Sequence, residues 1–65
     1  MNIHINGQKK ESNATTISEL VAELGLKMES LIVEHNLQII QQKNWNSTTI
    51  HDGDRIELLS FVGGG

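Results

Sequence analysis

The sequence predicts an α+β fold, a mixed sheet of four to five strands with one helix across one face. Three observations predict it. The first apolar segment alternates with a period of two, as a half-buried strand does. A later segment carries a single apolar stripe at helical spacing. Turn signals at Asn6-Gly7, Asn36 and Asp52-Gly53-Asp54 then cut the rest into short strand-like pieces, with no repeat or linker dividing the 65 residues. Strands on both sides of one helix favour a sheet that shares its core with that helix.

Met1, Ile3 and Ile5 share one face of the first strand, and Asn2, His4 and Asn6 the other. Asn6-Gly7 follows, the strongest short hairpin signal, because both residues accept positive φ. The return segment, 8–12, is polar and contains Lys9 and Lys10, which suit an edge strand that must resist pairing with other chains. Ile17, Leu20, Val21 and Leu24 form the helical stripe at i, i+3, i+4 and i+7. Thr16 and Glu19 fit a capping box at its start, and Gly25 fits the left-handed position at its end. Residues 30–35 read as a strand with Leu31-Ile32-Val33 at its centre, and 37–40 as a shorter one beyond the Asn36 turn. Residues 41–49 are polar apart from Trp45 and show no period. Residues 55–62 form the last strand. The expected core is Met1, Ile3, Ile5, Ile17, Leu20, Val21, Leu24, Leu31, Val33, Ile50, Ile56 and Leu58.

Composition narrows the chemistry. Hydrophobic residues make up 37%, which suits a folded chain. A chain this short buries only about 60% of the surface its unfolded form exposes, enough for one thin core but not for a deep catalytic cleft as well. With no cysteine, disulfides, thiolate zinc sites and thiol catalysis are excluded. Eight acids against five bases give a net charge of −3, and Trp45 and Phe61 are the only aromatics. A nucleic-acid binder needs basic grooves and stacking aromatics, so no nucleic-acid partner is expected. No apolar run approaches the ~20 residues of a membrane span, and the N-terminus lacks the layout of a signal peptide, so the expectation is a cytoplasmic protein with no membrane partner.

Candidate catalytic groups are sparse. His4, His35 and His51 show no metal-ligand spacing and read as strand or turn surface residues. No serine sits in a nucleophile elbow. Asp52 and Asp54 lack the other ligands of a calcium loop, and Asp52-Gly53-Asp54 reads as a tight turn. No glycine-rich loop precedes a helix as a phosphate cradle requires. No metal and no cofactor are therefore expected.

The informative feature is the end, where Gly63-Gly64-Gly65 follows an apolar strand. On composition alone it reads equally as a frayed terminus or as a presented arm. Glycine permits almost any backbone angle, and three of them reach roughly 10 Å at ~3.3–3.6 Å per residue. Such an arm could thread a narrow slot in another enzyme and present the Gly65 carboxylate there. Residues 1–62 are accordingly expected to form the folded domain, and 63–65 a flexible tail.

From end to end the chain resembles the ThiS family of sulfur carriers of thiamine biosynthesis, within the ubiquitin-like β-grasp group. The residues that carry the resemblance are the Asn6-Gly7 hairpin, Thr16-Ile17-Ser18-Glu19-Leu20, Asn36, Trp45, Asp52-Gly53-Asp54-Arg55-Ile56 and the ending Phe61-Val62-Gly63-Gly64-Gly65. The segment 41–47 is less family-like, with Lys43 near where an arginine is often found. The resemblance implies a protein co-substrate rather than an enzyme. By the same resemblance, an E1-like adenylating enzyme (ThiF-type) is expected to activate Gly65 with MgATP. Sulfur from a cysteine desulfurase route would make a thiocarboxylate there, for a thiazole synthase (ThiG-type) to consume. Gly64 is expected to be needed as glycine where the partner's channel closes around backbone, and Gly63 to supply reach and a hinge. Two related readings stay open: the small subunit of molybdopterin synthase, and a ubiquitin-like modifier joined to lysines.

The parity of the last strand suggests how partners hold on. Ile56 and Leu58 should point inward, leaving Leu59 and Phe61 outside, with Ile32 facing the same way. Ile32, Leu59 and Phe61 are therefore expected to form a docking patch, since exposed apolar clusters mark interfaces. A bulge after Leu58 would turn Leu59 inward, because a slip of one residue reverses the faces.

Overall fold

The computed structural model describes residues 1–60. Five strands, β1 (Asn2–Ile5), β2 (Gln8–Glu11), β3 (Leu31–His35), β4 (Gln38–Ile40) and β5 (Arg55–Ser60), form one sheet in the order β2-β1-β5-β3-β4. One helix, α1 (Ile17–Glu23), follows β2. β1 and β5 run parallel and the other neighbours antiparallel, which makes the sheet mixed as expected. β2 lies at the edge with all four residues exposed, where its lysines guard an open ladder.

The helix is a single apolar stripe laid on the sheet. Ile17, Leu20 and Val21 are buried. At its start, Glu19 N–H donates to Thr16 Oγ1 at 3.2 Å, the forward half of the capping box. The return half is displaced by one residue: the Glu19 carboxylate accepts from the Thr15 N–H at 2.7 Å and from the Thr15 hydroxyl at 2.8 Å. Those Thr15 bonds, with a smaller contribution from the Thr16 backbone, outweigh desolvation and hold the Glu19 carboxyl below its ordinary pKa. Gly25 ends the helix with φ +68°, and Gly25 N–H donates to Ala22 C=O while Leu26 N–H donates to Val21 C=O. These two bonds are the Schellman pair, and open space around Gly25 shows that the left-handed backbone, not crowding, calls for glycine.

The core contains Ile3, Ile5, Ala14, Ile17, Leu20, Val21, Leu31, Val33, Trp45, Ile50, Ile56 and Leu58. Met1 and Leu24, expected inside, pack against it only partly buried, because each sits at the end of its element. Ala14 and Trp45 take their places. The aperiodic segment holds a 3₁₀ helix, Gln42–Ser47, that turns Trp45 under the sheet's edge and packs beside α1. The indole N–H donates to Ile40 C=O at 2.9 Å, so the ring's one polar atom is satisfied inside. A 3₁₀ turn has a period of three and runs here for six residues, too few to show a pattern.

Candidate functional site

β5 is the element that delivers the chain's end. It lies in the middle of the sheet, gripped by β1 on one side and β3 on the other. The β3–β5 register pairs Leu31 with Ser60, Ile32 with Leu59, Val33 with Leu58 and Glu34 with Glu57. The ladder runs through Ser60 without a bulge, so Leu58 points inward and Leu59 outward, 55% exposed. Ile32 stands directly opposite Leu59 and is half-buried. Two of the three expected patch residues thus share one face near the last described residues of β5. Phe61 lies outside the described residues, as do Gly63, Gly64 and Gly65.

The same face holds a residue that sequence reading missed. Ile39 on β4 pairs with Glu34 and is 68% exposed. Ile39 and Ile40 are adjacent, so on a strand only one can face the core, and Ile40 is the one that packs against it. Glu34 and Glu57 face each other next to the Ile32–Leu59 pair, with Ile39 on the far side of Glu34. Beyond them the β3–β4 turn carries Asn36 at φ +51° and Leu37 at φ +73°, the paired left-handed backbone of a type I′ hairpin. Leu37 is 85% exposed there.

The opposite, helix-side face is open beside the last described residues of β5. A cavity of about 330 Å³ is bounded by Ile5, Leu24, Leu26, Leu31, Leu58 and Ser60. At the far end of β5, Asp54 organises the lead-in. Its Oδ2 lies 2.6 Å from His35 Nε2 and accepts from the His51 N–H at 2.8 Å, while its Oδ1 accepts from Asn36 Nδ2 at 3.1 Å. Asn36 in turn accepts the Arg55 N–H at 2.9 Å. His35, read from sequence as a surface residue, is instead mostly enclosed, its side chain 15% exposed beside Asp54. Its partner lies 19 residues away, beyond β4 and the 3₁₀ helix, which no local pattern reveals. Among the described residues no group of three or more metal-ligating side chains is arranged to hold a metal ion, and no helix is long and apolar enough to cross a membrane.

Comparison with known proteins fits this geometry. The ThiS family model matches residues 3–65. The chain belongs to the ThiS family. The sulfur carrier protein ThiS of Bacillus subtilis is 35% identical over 65 residues, covering 97% of this chain and 98% of that protein. The crystal structure of the thiamine biosynthesis protein ThiS from Geobacter metallireducens superposes with a TM-score of 0.86 at 32% identity, covering all of both chains. The fold is therefore the ubiquitin-like β-grasp. A thiazole synthase of Paramagnetospirillum magneticum is 35% identical over 66 residues, matching the whole of this chain but only 20% of its own length. The chain spans about a fifth of the length of that relative and of a second thiazole synthase, from Magnetococcus marinus.

Proposed function

We propose that this ThiS-family chain is a sulfur carrier of thiamine biosynthesis, a protein co-substrate whose reactive group is the Gly65 carboxylate. Membership of the family over residues 3–65 is the observation that carries the reading. A carboxylate is ionised at neutral pH and is a poor acyl donor. In the proposed sequence an E1-like, ThiF-type enzyme lets a Gly65 oxygen attack the α-phosphorus of ATP, and pyrophosphate leaves. The terminal sulfur of a persulfide, supplied by a cysteine desulfurase route, then attacks the acyl carbon and AMP leaves. A second thiol cleaves the resulting S–S bond, releasing the thiocarboxylate. That sulfur is the nucleophile a thiazole synthase consumes. Two thiazole synthases carry a segment like this entire chain within their own length, which supports a ThiG-type partner. In this reading the chain works in the cytoplasm, alongside the partners that would activate and consume its end group.

Intact mass tests the reading. After incubation with a ThiF-type enzyme, MgATP and a persulfide source, the chain should gain about 16 Da, sulfur replacing oxygen at the nucleophilic end group. Removal of Gly65 should abolish the gain. An unchanged mass for the full chain would reject the reading.

Ile32, Leu59 and Phe61 serve as the docking patch for the adenylating enzyme in this proposal. The exposure of Leu59 and its direct pairing with Ile32 support it. Leu59→Asp and Phe61→Asp should each weaken binding about tenfold or more, the loss of roughly 1.5 kcal/mol of apolar contact. The thermal midpoint of Leu59→Asp should stay close to that of the parent, because the side chain is already exposed. Unaltered binding by both variants would remove the patch.

A further inference from the structure

Asn6 does more than its place in a hairpin turn requires. The β1–β5 ladder pairs His4 with Arg55 and Ile5 with Ile56, and the Asn6 N–H still donates to Ile56 C=O at 3.0 Å. There the β1 backbone turns away, at φ +51° for Asn6 and +82° for Gly7. No further β1 backbone pairs with β5, yet the Asn6 side chain continues the ladder. Its Oδ1 accepts the Leu58 N–H at 2.8 Å, and its Nδ2 donates to Leu58 C=O at 3.3 Å. The primary amide presents one acceptor and one donor, the same pair a peptide unit of an extended β1 would present. Both bonds span 52 residues and meet the chain two positions before the last described residue.

We infer that Asn6 is a positioning residue for the C-terminal arm: its side chain stands in for the missing end of β1 and clamps β5 at Leu58, just before the glycine-rich ending. The inference rests on the carrier reading above. β3 holds the other edge of β5 through Ser60, so without Asn6 the strand's last turns of the ladder would be held from one side only. With the end of β5 held from one side only, each encounter with a partner would have to order it. A turn alone would be served equally by glycine, which also takes positive φ. The side-chain amide is what glycine lacks.

Asn6→Gly therefore separates the two roles, keeping the turn and removing the clamp. Its far-ultraviolet spectrum should match the parent. The Leu58 amide should exchange with solvent about fivefold to tenfold faster, the factor for one net hydrogen bond, with Ile3 unchanged. In ATP-dependent adenylation by a ThiF-type enzyme its KM should rise about fivefold with kcat nearly unchanged, because the clamp acts on binding and leaves the reaction of the bound carboxylate unaltered. Asn6→Asp, which keeps the acceptor for the Leu58 N–H but loses the donor, should fall between. A wild-type KM for Asn6→Gly would overturn the inference while leaving the carrier reading intact. Failure of the unaltered chain to be adenylated would overturn both.

Discussion

Trp45→Ala should cost about 3–5 kcal/mol, the usual range for emptying a buried tryptophan site. The ring is 2% exposed, and its N–H bond to Ile40 C=O disappears with it. A domain of this size has little stability to lose, so the variant should unfold at low urea or fail to fold at room temperature. Trp45→Phe keeps most of the apolar volume and loses the hydrogen bond, for about 1–2 kcal/mol. Circular dichroism is the right measurement, because Trp45 is the only tryptophan and its removal abolishes the intrinsic fluorescence. A urea midpoint for Trp45→Ala near the parent's would mean that the 3₁₀ segment is not part of the cooperative core.

The second large effect is centred on Asp54. Burial by itself would raise this carboxyl, but the His51 backbone N–H, with His35 and Asn36, outweighs it and holds the pKa below the ordinary 3.8. A carboxyl depressed in the folded state stabilises the fold above its unfolded pKa, and that contribution is lost as pH falls through the folded value. The Asp54 contribution should therefore be present in full and constant with pH near neutrality, and should fall away below about pH 4, where the unfolded chain takes up the proton first. Asp54→Ala should remove about 2 kcal/mol at pH 7, where charged hydrogen bonds to two side chains and one backbone amide are lost. It should also flatten the acid limb of a urea-midpoint-against-pH curve. The parent's acid limb persisting in Asp54→Ala would place the acid sensitivity elsewhere, with the Glu19 cap the next carboxyl to examine.

Much of the fold was legible because its signals are local. Alternation at Ile3 and Ile5, the stripe from Ile17 to Leu24, the left-handed positions at Gly7 and Gly25, and the turn at Asn36 each follow from two or three neighbouring residues. The capping box was legible in kind and off by one in partner, since a glutamate reaches Thr15 as readily as Thr16. The site was legible as a parity argument: once Leu58 is inside, Leu59 is outside, provided no bulge intervenes. What sequence could not show was which of Ile39 and Ile40 faces the core, that His35 is enclosed beside Asp54, or that Asn6 reaches Leu58.

By itself, then, the sequence determined the element order, the faces of the longer strands and the glycine-rich ending, because periodicity and turn chemistry act over a few residues. Only the tertiary structure decided that β5 sits between β1 and β3, that Trp45 completes the core, and that the Asn6 amide takes the place of strand where β1 has turned away. Those contacts join residues many positions apart, and the free energy that selects them comes from packing the whole sheet and helix together, not from any one segment.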